Sequence, residues 1–179
     1  MMYQPFMCNA SIKKYEDLIF NGAKILELGA GYSTLWLAEK DVFVESYEHN
    51  PTWFEKMNRM LKSEQINVHF HESYDNAISE YPQDYFDIIV VDGINRLECV
   101  ENIYESKVLK TGGYLLIDDI ERRFHKMGDK YDKMVKVVEG WECEFLSDYP
   151  FETFEEYSNL EKEEEPYKLK QTLFAKRTE

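Results

Sequence analysis

The stretch KILELGAGYSTLWL, residues 24–37, decides the fold. KILEL is an apolar run of strand length, GAG interrupts it, and STLWL resumes an apolar pattern behind a hydroxyl residue. This order predicts a buried strand, a glycine loop and a helix capped by Ser33 or Thr34. Gly29 and Gly31 permit close approach of the backbone to a ligand, and the helix behind them starts with N–H groups that have no intrahelical partner. Such a loop points to a nucleotide-like ligand only when its surroundings agree.

Upstream, Ile12, Tyr15, Leu18 and Ile19 keep helical spacing, with Asn9 or Ser11 as N-cap and Asn21-Gly22 as the stop. Downstream, VFVESY (42–47) predicts a second strand, and Asn50-Pro51 opens a helix with Trp53, Met57, Met60 and Leu61 on one face. Further strands are expected near 68–71, 86–91 and 114–117, with a turn at Gly112-Gly113. Helices are expected at 75–81, along the stripe Leu97, Val100, Tyr104 and Val108, and over 129–139. WECEFLS (141–147) and LKQTLFAKR (169–177) read as two last strands, paired as a hairpin at one sheet edge. Alternating strands and helices imply an α/β sandwich: a mostly parallel seven-stranded sheet, helices on both faces, and an antiparallel C-terminal strand. One domain is expected over 1–179, with an N-terminal helix region at 1–22 and an acidic insertion at 148–167.

The net charge of −14 argues against nucleic acid and anionic membrane surfaces, both of which need clustered Lys and Arg. Half of it is local: residues 148–165 hold eight carboxylates and one Lys. Tyr149, Phe151, Phe154 and Tyr157 interleave with them, which suggests a folded lid or a partner surface. Cys8, Cys99 and Cys143 are odd in number and widely spaced, so reduced thiols and a cytoplasmic location are expected, with Cys99 and Cys143 as packing residues. No apolar run is long enough for a membrane span.

Glu48 ends the second strand nineteen residues after Gly29, where a carboxylate can accept both hydroxyls of a ribose. A dinucleotide loop carries a third glycine where this chain has Thr34, which weakens a nicotinamide reading. Glu27, just before the loop, would repel a pyrophosphate and suits an ammonium or sulfonium group.

ELGAGYSTLWLA and YEHNPTWFEKM together resemble the first and second motifs of the Rossmann-like S-adenosylmethionine-dependent methyltransferases. The resemblance runs from about Lys24 to Arg177 through YFDIIVVDG, VLKTGGYLLIDDIER and QTLFAKR. It implies a cofactor site made of Glu27, Gly29, Ala30, Gly31, Ser33, Glu48, His49, Ser73, Tyr74 and Asp92, with Ser73 and Tyr74 at the adenine.

Asp92 ends the fourth strand and Asp118-Asp119 the fifth, so the three should converge. Three carboxylates suit a hard divalent ion such as Mg2+, which would lower the pKa of a substrate hydroxyl; otherwise they are solvated strand ends. VVDG followed by LLIDD resembles the metal-dependent O-methyltransferases of the catechol and macrocin types. The catechol type has Asp-Asn where this chain has Asp118-Asp119, and a lysine base where it has Asn95; the macrocin type has the Asp-Asp pair. Asp92 and His125 are the catalytic candidates, His125 as base, and Arg96 either holds a substrate anion or pairs with Glu27 or Asp92. The expected partner is a small-molecule methyl acceptor, with a homo-oligomer left open. The competing reading is a non-catalytic S-adenosylmethionine-binding subunit that docks a partner through its acidic aromatic segment.

Overall fold

The computed structural model describes residues 3–125, 128–149, 151–163 and 169–179. In chain order the elements are α1 (Asn9–Leu18), β1 (Ala23–Leu28), α2 (Tyr32–Leu37), β2 (Val42–Glu48), α3 (Pro51–Met60), β3 (Ile66–Phe70) and α4 (Asp75–Ile78). There follow β4 (Phe86–Val91), α5 (Arg96–Ser106), β5 (Leu109–Ile117), a 3-10 turn (Ile120–Phe124), α6 (Asp129–Val137), β6 (Glu142–Ser147), α7 (Phe154–Glu163) and β7 (Gln171–Lys176). No helix among the described residues is long and apolar enough to cross a membrane.

All seven strands form one sheet in the order β3-β2-β1-β4-β5-β7-β6, and β7 runs antiparallel to both of its neighbours. The pleat divides the core. Ile25, Ile88, Val90, Leu116 and Phe174 face α1 and α2, where Tyr15, Trp36 and Leu37 are buried. Their sequence neighbours Leu26, Ile89, Val91, Leu115, Leu173 and Ala175 face α4, α5 and α6, against Ile78, Val100, Ile103 and Met134. Burial on both faces explains why β1 and β4 read as nearly continuous apolar runs.

The order reverses at β1 and β4, whose following loops leave toward opposite faces and open a crevice between them. Two glycines let those exits approach. Gly29 has φ +114, and a Cβ there would stand 2.8 Å from the Gly93 nitrogen. A Cβ on Gly93 would lie 2.9 Å from the Leu28 carbonyl oxygen and strike the Tyr74 ring.

Several local expectations are corrected. Gly112-Gly113 is not a turn before a short strand: β5 already begins at Leu109, and its pairing with β4 shifts register between Phe86 and Ile88. The buried side of α5 is Cys99, Val100 and Ile103, while Tyr104 is exposed. Cys143 is exposed because β6 is an edge strand. The N-cap of α1 is Cys8; the capping carboxylate comes from Asp148, which accepts the Asn9 and Ala10 N–H groups at 2.9 Å. The acidic connection contains α7, pinned by Phe151, Tyr157 and Leu169 against Phe124; residues 150 and 164–167 of that stretch lie outside the described residues.

Candidate functional site

Glu27 sits at the end of β1 and is 1% exposed. It accepts hydrogen bonds from the hydroxyls of Ser33, Thr34 (2.5 Å) and Ser46 (2.6 Å). Burial raises its pKa, and the three hydroxyls oppose that rise. The carboxylate therefore acts on the loop: Thr34 Oγ1 in turn accepts the Gly31 N–H at 2.8 Å, and Trp53 Nε1 donates to the Ala30 carbonyl at 2.6 Å. Thr34, which occupies the third-glycine position, is thus a strut of the loop.

The loop forms one wall of a cleft at the carboxyl ends of β1, β2 and β4. Gly29, Ala30, Gly31, Tyr32 and Ser33 face Glu48, His49 and Trp53 on one side and Tyr74, Asp92 and Gly93 on the other, with Phe6 at the rim. Glu48 is 4% exposed, and its Oε1 accepts the Asn50 N–H at 2.7 Å, which fixes the carboxylate. Tyr74 shares a 3.0 Å hydrogen bond with His49 Nδ1. Of the cofactor set expected from the sequence, Gly29, Ala30, Gly31, Ser33, Glu48, His49, Tyr74 and Asp92 meet here. Glu27 stands behind the loop. Ser73 lies outside the lining, its N–H on His71 Nδ1 at 3.3 Å. No Lys or Arg is found among the described residues lining the cleft.

Asp92, Asp118 and Asp119 do converge, with carboxylate oxygens within 4.8 Å of one another. They do not converge alone. Arg96 Nη2 lies 3.0 Å from Asp92 Oδ1 and 3.2 Å from Asp119 Oδ2, and its Nη1 donates to the Asp118 carbonyl. Arg122 reaches Asp119 Oδ2 at 2.7 Å. Lys170 Nζ donates to Asp119 Oδ1 and lies 3.3 Å from Asp118 Oδ2, whose other oxygen accepts the Thr172 hydroxyl at 2.7 Å.

Burial and the Asp118 charge push Asp92 up to about 7, against the pull of Arg96. Burial also raises Asp118, despite Lys170. For Asp119 burial acts upward, but Arg96 and Lys170 outweigh it and hold the carboxyl below its usual range. Three carboxylates face three cations, and both Asp118 oxygens are taken, so these residues do not fit an all-oxygen Mg2+ site.

A second cleft of about 670 Å³ adjoins the first through Phe6, which lines both. Its walls are the segment Gln4 to Asn9 together with Asp148, Tyr149 and Lys170, and the Lys170 ammonium lies 4.8 Å from the centre of the Phe6 ring. His125 is not brought to either cleft: its ring is exposed and bonds the Tyr157 hydroxyl of α7 at 2.8 Å.

No protein-family model and no curated protein matches the sequence. Solved structures do match. The chain superposes on an rRNA methylase from Streptococcus thermophilus with a TM-score of 0.67, at 13% identity, over 96% of this chain and 98% of that one. The fold is the Rossmann-like methyltransferase fold. An SAH-bound methyltransferase from Podospora anserina gives 0.64 at 15% identity, covering 88% of this chain and 72% of that one. A TehB-like SAM-dependent methyltransferase from Corynebacterium glutamicum gives 0.57 at 17% identity, covering 92% and 85%.

Sequence reasoning missed four contributors to this site. Trp53 was readable only as one of the apolar positions of α3, although its indole N–H latches the loop. Gly93 carried a signal in its place directly after Asp92 at a strand end, where backbones crowd. Phe6 and Lys170 carried none: they lie outside every motif, and Lys170 is 51 residues from Asp119.

Proposed function

We propose that this chain is an S-adenosylmethionine-dependent methyltransferase that methylates a hydroxyl of a small molecule. The observation that carries the reading is the cleft at the β1/β4 switch point, where Glu48 and Asp92 face the glycine loop and no Lys or Arg lines the walls among the described residues. A unit anionic charge about 4 Å from Glu48 would be repelled by roughly 4 kcal/mol at an effective dielectric constant near 20, and a cation attracted by as much. A pyrophosphate is disfavoured on that count, and a sulfonium with an ammonium group is favoured.

When bound, S-adenosylmethionine supplies a methyl carbon already activated by its sulfonium. The chain's own residues hold and orient. Glu48, fixed by the Asn50 N–H, accepts the ribose hydroxyls, and Tyr74 with His49 walls the base end. Asp92, one third exposed at the cleft and with its pKa raised to about 7, takes the proton of the acceptor hydroxyl. The adjoining cleft behind Phe6 has the size and mixed lining for the acceptor. Arg96, Arg122 and Lys170 already match the three aspartates, which leaves the cluster no role for a divalent ion in this reaction.

Isothermal titration with S-adenosylhomocysteine tests the cofactor assignment. Binding is expected, weakened at least about tenfold in Glu48→Ala through loss of hydrogen bonds to a charged acceptor. No heat of binding to the wild type refutes the function, and unchanged affinity in the variant refutes the ribose contact. A methyl-transfer screen over hydroxylated metabolites then tests the acceptor class.

A further inference from the structure

The strand register places an ammonium where a metal ion would otherwise be needed. β7 enters the sheet antiparallel to β5 with Leu173 opposite Ile117, so the residues ahead of Leu173 run past the carboxyl end of β5. Thr172 meets Asp118, and Lys170 reaches over the Asp118-Asp119 pair. The Lys170 side chain is 14% exposed, with Nζ 3.3 Å from Asp118 Oδ2 and bonded to Asp119 Oδ1. On its other side it lines the cleft shared with Phe6 and Tyr149.

We propose that Lys170 is the resident cation of the Asp92, Asp118 and Asp119 cluster, standing in for a divalent ion, and that its removal turns the cluster into a metal site. Asp118 and Asp119 engage two of the three N–H donors of the ammonium, and the third serves an acceptor oxygen in the adjoining cleft. The site thus favours an oxygen acceptor. With Phe6 and Tyr149 on the same walls, it fits a compact, planar hydroxylated molecule better than a long flexible chain.

Charge decides against an additional ion. Arg96, Arg122 and Lys170 match Asp92, Asp118 and Asp119 one for one, and the nearby buried Glu121 accepts the Gln171 N–H, so a divalent ion would arrive beside Lys170 facing carboxylates that are already partnered. Without Lys170 one negative charge is uncompensated, and the facing oxygens of Asp118 and Asp119 lose their donor.

The acceptor contact rests on the methyltransferase reading; the resident-cation assignment does not. The test is titration of the full chain with Mn2+, followed by the electron paramagnetic resonance signal of the free ion, on the wild type, Lys170→Ala, Lys170→Met and Lys170→Arg. Wild type and Lys170→Arg are expected to leave Mn2+ free. Lys170→Ala should bind at least about tenfold more tightly than the wild type. Lys170→Met, which keeps the volume of the side chain, serves if circular dichroism shows the alanine variant unfolded.

Stoichiometric Mn2+ binding by the wild type that disappears in Asp118→Asn overturns the proposal. So does an unchanged Mn2+ titration in both folded charge-deleted variants. S-adenosylhomocysteine titrated into the same preparations reports on the methyltransferase reading separately. If it fails to bind while the Mn2+ pattern holds, that reading falls and the assignment of Lys170 stands.

Discussion

Glu27 is a carboxylate at the glycine loop that spends its oxygens on the protein. With Ser33, Thr34 and Ser46 donating to it and 1% of its surface exposed, it has little left for an ammonium group of a ligand. Two outcomes follow for Glu27→Gln, whose amide can still pair with the hydroxyls. Affinity for S-adenosylhomocysteine should fall by less than about tenfold, the loss of roughly one neutral hydrogen bond, whereas Glu48→Ala loses more. Stability should also change with pH. Burial raises the Glu27 pKa in the folded chain, so the folded state holds this proton more tightly than the unfolded state does. That contribution is complete below the unfolded value of about 4.3 and is lost as pH rises through the folded pKa. Glu27→Gln should therefore gain melting temperature relative to the wild type at pH 8 and lose that advantage by pH 4. A difference independent of pH would show that the wild-type carboxylate is comfortable where it lies.

At the scale of elements, α1 depends on a cap it does not encode. Asp148, beyond the end of β6, accepts Asn9 N, Ala10 N and Asn9 Nδ2 at 2.8 to 2.9 Å, tying the N-terminal segment that walls the second cleft to the last hairpin. Asp148→Ala should cost about 1 kcal/mol, the usual worth of an exposed N-cap, and speed hydrogen exchange at the Asn9 and Ala10 amides. Protection that survives the change would mean that the segment is held by packing alone. This cap also marks what the sequence could and could not tell. The strands of the central sheet were legible because burial on both faces leaves apolar runs such as FDIIVV, and the loop, Glu48 and Asp92 were legible because they sit next to those strands. The cap, the start of β5 at Leu109, the helix inside the acidic connection and the placement of Lys170 come from contacts between distant segments. Local periodicity holds no record of such contacts. His125 shows the converse: nearness in sequence to Asp119 suggested a base, but the 3-10 turn carries its ring to Tyr157.

At the scale of the molecule, surface charge bears on the kind of acceptor that the proposed activity would use. RNA is the macromolecular alternative to the small molecule proposed above. Binding RNA without sequence preference draws on release of counterions by several free Lys and Arg side chains, and this chain carries a net charge of −14. Of the basic residues around the glycine-loop cleft, Lys56 lies over the Trp53 ring at 4.1 Å and Lys170 over the Phe6 ring at 4.8 Å, while Arg96, Arg122 and Lys130 surround a smaller pocket beyond Gly93; Arg96, Arg122 and Lys170 are already committed to Asp119. A phosphate backbone would have to displace those pairs or approach past uncompensated carboxylates. Filter binding with bulk ribosomal RNA at about 50 mM salt, where electrostatic binding is strong, should therefore show no retention. Methyl transfer to a hydroxylated small molecule should be unaffected by RNA added as competitor. Retention whose logarithm falls linearly with the logarithm of salt concentration would show a basic surface hidden by the overall charge, and would move the acceptor from metabolite to RNA.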